Sequence, residues 1–397
     1  MLKYLAFLST VLICFEISNA EEDNPNSFQR ETTFLNSNDE NDNTVIIGEE
    51  KDGDGGEINF LALGDWGGSP FFGSLPDQVL TAKGMGKVAQ EINADFVVTL
   101  GDNFYFTGVE DVDSKRFVET YESVYNAKSL ITIPWYVIGG NHDHYGNIDA
   151  QIQFSSSPRN TNQRWKFPSL YYSQSFTTTS SNNRGVTIDL IMIDTVDLCS
   201  KNDILDEEDE RYFEPLPFLP KSYAGDQWEW IETQMSKSKA DYLLVAGHYP
   251  VFSVCRHGPT ETLIQHLRPL LLKYGAHYLS GHDHCANHFV EQSNHSILHD
   301  LDSSEILQSE EVNYILTGTG IECCYAATNL KNSLIPESVK LKWAMTEEKN
   351  TGHLFWKKVK GGFASFSTTK DTMKVRHHDQ NGNVLFEAKP ILPRSSK

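Results

Sequence analysis

The chain has 397 residues, 54 acidic against 33 basic, and a formal net charge of −21, a balance that excludes a protein coating the phosphate backbone of nucleic acid. Hydrophobic residues make up 39%, with 22 Phe, 16 Tyr and 7 Trp. That is enough apolar side chain for a sizeable core and too much for a chain disordered throughout.

In chain order, Lys3 precedes an apolar run from Tyr4 to Phe15, and Ser18-Asn19-Ala20 supplies the small residues of a cleavage site. Residues 1–20 therefore read as a signal peptide, because the run is too short to span a bilayer. Residues 21–57 hold twelve acids against Arg30 and Lys51. Such a stretch buries too little apolar surface to offset its ordering entropy and reads as an acidic disordered segment.

From residue 58 onward, short apolar runs end in a glycine followed by a polar residue. Residues 58–63 lead to Gly64-Asp65, 96–100 to Gly101-Asp102, and 135–138 to Gly140-Asn141-His142. Residues 242–246 lead to Gly247-His248, and 277–280 to Gly281-His282. Such runs are buried strands, and 188–193 before Asp194 is another. Helical spacing fills the intervals at 78–92, 115–125, 226–239 and 261–274. Residues 203–214, with seven acids and Arg211, read as an exposed loop leading into Pro215, Pro217 and Pro220. Late in the chain, 362–368 and 373–377 alternate in strand fashion, and Asn381-Gly382 reads as a hairpin turn into 384–386. The expected architecture is α/β: two packed mixed β-sheets flanked by helices over 58–390, with a short tail at 391–397.

Six cysteines include Cys14 in the leader, so five remain after processing and at least one has no intramolecular partner. Cys199 with Cys255 is the pairing expected, and the adjacent Cys323 and Cys324 are expected not to bridge each other. Asn294-His295-Ser296 is a glycosylation sequon.

In open α/β sheets, sites form at the carboxyl ends of the strands. Five strands deliver polar groups there: Asp65, Asp102 with Tyr105, Asn141, His248, and His282 with His284. Oxygen and imidazole donors without thiolate suit hard or borderline cations such as ferric iron, manganese and zinc. Two such ions about 3.5 to 4 Å apart clamp a phosphoryl group and activate water.

Gly64-Asp65-Trp66-Gly67, Gly101-Asp102-Asn103-Phe104-Tyr105, Gly140-Asn141-His142-Asp143, Gly247-His248 and Gly281-His282-Asp283-His284 resemble the motifs of the purple acid phosphatases, within the calcineurin-like metallophosphoesterases. The stretches 101–109, 134–144 and 245–250 are similar to the small tartrate-resistant acid phosphatases of animals. This resemblance implies the four-layer metallophosphoesterase sandwich and a secreted or lysosomal acid phosphatase. It implies hydrolysis of phosphomonoesters by a hydroxide held at a binuclear Fe(III)–M(II) centre. Gly320-Ile321-Glu322-Cys323-Cys324-Tyr325 departs from the family near the substrate side, so substrate preference is not carried over; phosphoproteins or nucleotides are the expected substrate classes and a monomer the expected state. By the same resemblance Asp65, Tyr105 and His284 hold Fe(III), Asp102 bridges, and Asn141, His248 and His282 hold divalent iron, zinc or manganese. His142 and His257 are implied to contact phosphate and protonate the leaving alkoxide, while Asp143, His144 and Asp283 support the ligands.

Where most metallophosphoesterases carry a histidine, this chain has Gly67, and Tyr105 supplies a phenolate that favours a trivalent ion. The resemblance matches Cys199 to one half of a mammalian disulfide whose other half is Thr262 here. It also implies that the acidic stretch 201–225 represses activity until cleaved. The alternatives are a phosphodiesterase or nucleotidase of the same superfamily, a secreted iron-binding redox protein, and a binding protein with a dead site.

Overall fold

Two mixed β-sheets face one another across a stack of phenylalanines. The rings of Phe366 and Phe60 lie 4.3 Å apart, Phe60 and Phe96 4.8 Å, and Phe96 and Phe176 4.0 Å, all nearly parallel. The first three belong to one sheet and Phe176 to the other, so the stack joins the two inner faces. The computed structural model describes residues 32–33, 44–49, 56–69, 73–179, 185–199, 221–292, 311–350 and 358–394.

In chain order the strands are β1 Thr32–Thr33, β2 Thr44–Glu49, β3 Ile58–Leu63, β4 Phe96–Thr99, β5 Trp135–Tyr136, β6 Trp165–Lys166, β7 Tyr172–Thr179 and β8 Thr187–Met192. There follow β9 Tyr242–Ala246, β10 His277–Ser280, β11 Ala286–Gln292, β12 Glu311–Thr317, β13 Val339–Met345, β14 Gly362–Thr368, β15 Met373–Asp379 and β16 Val384–Glu387. One sheet runs β1-β2-β7-β8-β9-β10-β12-β11-β13 and the other β16-β15-β14-β3-β4-β5-β6. At the centre of the first, β8, β9, β10 and β12 are parallel; in the second, β3, β4, β5 and β6 are parallel. Strands buried on both faces read as continuous apolar runs, and β3, β4 and β9 are buried at every position. Helices α1 Pro76–Glu91, α2 Lys221–Lys237 and α3 Glu261–Tyr274 lie between strands in sequence, α3 ending at Gly275 in the left-handed conformation.

Several expectations are corrected. The segment 21–57 is not disordered throughout: β2 pairs in parallel with β7, with Val45 and Ile47 in the core. Its Thr-Val-Ile-Ile run carries strand propensity that the surrounding acids conceal. The helical pattern at 115–125 forms a short π-helix, Phe117–Glu122, followed by an N–H from Ser123 to the carbonyl of Val118. The body also runs past 390: Ile391 bridges to Met373, and the buried Arg394 donates to the carbonyls of Ala240 and Tyr274.

Cys255 pairs with Cys285, not with Cys199, which is buried and lies outside the bridged pairs. Cys323 and Cys324 are bridged, contrary to expectation, across a cis peptide. The hairpin at Asn381-Gly382 forms as expected, with Gly382 at φ +80° between β15 and β16. The leader 1–20, most of the acidic segment, residues 201–220 of the acidic loop, the sequon at Asn294 and residues 395–397 lie outside the described residues.

Candidate metal centre

The parallel strands β3, β4 and β5 of one sheet and β9 and β10 of the other bring their carboxyl ends to one place. Asp65, Asp102 and His248 reach it from three of these ends, each offering a donor atom within 4.8 Å of the other two, and all three are buried. The turns that deliver them are tight. Asp65, Asp102 and His282 sit in the left-handed region at φ 56°, 53° and 72°, a conformation unusual for side-chain-bearing residues and concentrated at functional sites. Of the glycines just before them only Gly101, at φ +86°, is left-handed. At this turn the glycine and the residue after it are both left-handed; at the other two the unusual conformation falls on the aspartate or histidine itself.

The remaining expected residues gather around this trio. The Tyr105 hydroxyl lies 3.1 Å from Asp65 Oδ1 and 2.9 Å from His284 Nε2, and His284 Nε2 is 3.5 Å from Asp65 Oδ1. On the other side, His248 Nε2 is 3.0 Å from Asn141 Oδ1 and 3.4 Å from Asp102 Oδ1. His248 Nδ1 bonds the Leu100 carbonyl at 2.7 Å, which turns Nε2 inward. The His282 N–H donates to Asp65 Oδ2 at 2.7 Å, and its ring lies 5.1 Å from that of His248. Asp102 thus stands between a Tyr105/His284/Asp65 half and an Asn141/His248/His282 half, its Oδ1 also accepting from the His142 N–H at 3.1 Å.

These donors fit a pair of cations. Asp65 and Asp102 are buried carboxylates, and among the described residues their ion-pair partners are histidines, with no lysine or arginine. Buried carboxylates without a fixed cation are costly, and a metal supplies the missing charge. No histidine fits at Gly67, where a Cβ would lie 2.6 Å from the backbone of Asn103 and Phe104. Tyr105, three residues after Asp102, brings its hydroxyl to Asp65 Oδ1 instead. Electrostatics across the site are opposed. Burial would raise the Asp65 carboxyl, but His284, His248 and the His282 N–H outweigh it and hold it below the usual range. Burial, with Asp102 and Asp65 adding to it, holds the Tyr105 phenol well above its ordinary value. Burial and the surrounding imidazoles hold His282 well below its own. A cation at this place reverses the effect on Tyr105, favouring phenolate, and reinforces the one on His282, favouring neutral imidazole.

His142 and His257 flank the donors. His142 Nδ1 bonds the Phe106 carbonyl at 2.7 Å, leaving Nε2 4.0 Å from Asp102 Oδ2. The His257 ring lies 4.3 Å from that of His282, and its N–H donates to Asp283 Oδ1 at 3.0 Å. Asp143 accepts from the N–H groups of Asn103, Phe104 and Gly140 and from Gln151, tying two ligand loops together. Burial and the nearby Asp102 push its carboxyl up to about 6. His144 turns away to Asp194, 2.9 Å distant. Three residues enter the site with no role read from the sequence: Asn103, inside the second motif, whose amide bonds the Trp66 indole and the Ile138 carbonyl, and Glu322 and Tyr325 beside His284. The signal for the last two is their place just beyond β12, another strand end.

The family description "Calcineurin-like phosphoesterase" matches residues 58–286. Tartrate-resistant acid phosphatase type 5 of Oryctolagus cuniculus is 37% identical over 348 residues, covering 86% of this chain and 92% of the relative. The Homo sapiens protein of that name is 35% identical, covering 89% and 96%. Purple acid phosphatase 17 of Arabidopsis thaliana is 31% identical over 60% of this chain and 65% of its own length. Among solved structures, "GAP50 the anchor in the inner membrane complex of Plasmodium" superposes with a TM-score of 0.64 at 21% identity, covering 85% of this chain and 89% of that one. The last likeness is one of fold.

Proposed function

The chain belongs to the calcineurin-like phosphoesterases, and on that premise we propose that it is a metal-dependent acid phosphatase hydrolysing phosphomonoesters. The observation that carries this reading is the convergence of Asp65, Asp102, Tyr105, Asn141, His248, His282 and His284 from five strand ends onto one buried pocket.

In this reading Asp65, Tyr105 and His284 hold iron(III), Asn141, His248 and His282 hold divalent iron, zinc or manganese, and Asp102 serves both. The Tyr105 phenol between Asp65 and His284, where Gly67 admits no histidine, supports the trivalent assignment. When bound, two such ions polarise the phosphoryl oxygens and activate water for attack. The protein's own groups do the rest. Asp143, through its bonds to Asn103, Phe104 and Gly140, keeps the Asp102 and Asn141 loops in register. His142, its Nδ1 held by Phe106, offers Nε2 to the substrate side. A proton carried there is available to the leaving alkoxide in weak acid. His257, anchored through Asp283, adds a second imidazole at the same rim.

No helix among the described residues is long and apolar enough to cross a membrane. We place the protein on the secretory route, secreted or lysosomal, from the apolar leader after Lys3 and from the Cys255–Cys285 disulfide, which belongs to an oxidising compartment. Phosphoproteins or nucleotides are the substrate classes assigned, acted on by a monomer.

The test is a single preparation of mature protein assayed for metal content, visible absorption and aryl phosphate hydrolysis from pH 4 to 8. Iron, a visible band and acid-side turnover are expected. A colourless, iron-free protein sinks the phenolate assignment, and iron without hydrolysis favours a redox or binding role.

A further inference from the structure

Beyond the end of β12 the chain passes into a strap, residues 320–325 (Gly-Ile-Glu-Cys-Cys-Tyr), that runs beside the Asp65/Tyr105/His284 half of the pocket. Backbone bonds tie it to both ligand loops. The N–H groups of Gly320 and Ile321 donate to the carbonyls of Gly64 and Asp65 at 3.0 Å each, and the Tyr325 N–H donates to the His284 carbonyl at 2.8 Å. Gly320 accepts no side chain, since a Cβ would lie 2.6 Å from Trp66 Cβ and 2.7 Å from the Asp65 carbonyl oxygen. The strap is therefore built against these two loops.

Between its ties the strap presents two side chains to His284. The Tyr325 ring stacks on the imidazole, centroids 4.7 Å apart and planes 5° from parallel. That contact fixes the ring plane. His284 Nε2 faces Tyr105 and Asp65, so Nδ1 points the opposite way. It is buried, lacks a hydrogen-bond partner, and lies 3.6 Å from Glu322 Oε2. The Glu322 side chain is 64% exposed, free to close that short gap.

A neutral imidazole that binds a cation through Nε2 carries its hydrogen on Nδ1, and metal-bound histidines characteristically give that hydrogen to a carboxylate or carbonyl. We propose that Glu322 is a positioning residue of the centre: it accepts the Nδ1–H of His284, sets the tautomer that turns the Nε2 lone pair inward, and strengthens His284 as a donor, while Tyr325 holds the ring plane. Glu322 touches neither ion nor substrate. It acts through His284, on the trivalent position alone. The inference rests on the reading of Asp65, Tyr105 and His284 as one metal position.

The test compares iron affinity, by competition with a chelator, and the visible absorption band for the wild-type chain and for Glu322→Ala, Glu322→Gln and Tyr325→Phe. Glu322→Ala is expected to weaken iron retention by roughly 10- to 100-fold and to shift the band, with divalent-metal affinity and thermal midpoint unchanged. Glu322→Gln, still able to accept through its amide oxygen, should fall between; Tyr325→Phe, which keeps the stack, should match wild type. Wild-type affinity and an unshifted band in Glu322→Ala overturn the proposal. So does a loss shared equally by both metals together with a lowered thermal midpoint. A wild-type chain that takes up no iron overturns the underlying metal assignment instead, so the two failures are distinguishable.

Discussion

The Tyr105 hydroxyl and His284 Nε2 lie 2.9 Å apart although 179 residues separate them in the chain. One follows β4 and the other β10, in different sheets. Their meeting requires both sheets to present carboxyl ends at one seam. Tyr105→Phe removes the phenol oxygen while leaving the packed ring in place, so the fold should persist. Visible absorption of the iron-loaded protein should vanish; an unchanged band would remove Tyr105 from the ligand set.

Asp102 is the group proposed to serve both halves: its carboxylate lies within 4.8 Å of donor atoms of both Asp65 and His248 and accepts from the His142 N–H at 3.1 Å. Asp102→Ala should leave the chain folded, hold fewer metal ions per chain by elemental analysis, and show no measurable aryl phosphate turnover. Near-normal metal content and activity would refute its bridging place.

His142 touches no donor through its ring at bonding distance, its Nε2 standing 4.0 Å from Asp102 Oδ2. Replacement by alanine should therefore spare the metals. Loss of a proton donor predicts a fall in kcat of roughly 10²- to 10⁴-fold with metal content unchanged, smaller for substrates whose leaving group needs no proton. An equal loss for phenol and alkyl leaving groups would point to a structural role.

Acid should weaken the fold through histidines remote from the metals. Burial, assisted by Arg394, brings the His277 imidazole down to about 3, and burial brings His288 down to about 4 against the bond to Asn313. Both folded values lie below the ordinary 6.5, so the unfolded chain takes up protons first as pH falls. Stability from these neutral rings is full above about 6.5 and is lost progressively toward their folded values, on the order of 2 kcal/mol each by pH 5. The urea midpoint should drop between pH 7.5 and 5. In His288→Gln, whose amide still reaches Asn313 Oδ1, that drop should be smaller; an equal drop would contradict the assignment.

Much of this was legible from glycine-closed apolar runs. β3, β4, β9 and β10 are short, buried and followed at once by the candidate site residues, so fold and candidate site announce themselves together. Where polar residues interrupt the pattern, legibility fails. Asn313 sits inside β12, buried but bonded to His288 Nε2, and the break hides that strand; the 320–325 stretch beyond it reads in the sequence only as a departure from the family, without its contacts to His284. β7 alternates buried and half-buried Ser, Thr and aromatic residues, showing no continuous run. β2 lies within an acidic composition and needs β7 to become a strand. The Cys255–Cys285 pairing depends on two loops meeting at the site, a tertiary fact that spacing along the chain does not encode.

The central claim, two cations held among Asp65, Asp102, Tyr105, Asn141, His248, His282 and His284 for phosphomonoester hydrolysis, is tested most directly by titrating metal-stripped protein with iron(III) and zinc while following aryl phosphate turnover at weakly acidic pH. Turnover should rise until two ions are bound per chain and then level off. Full activity in the stripped protein, or none with two ions bound, would contradict it.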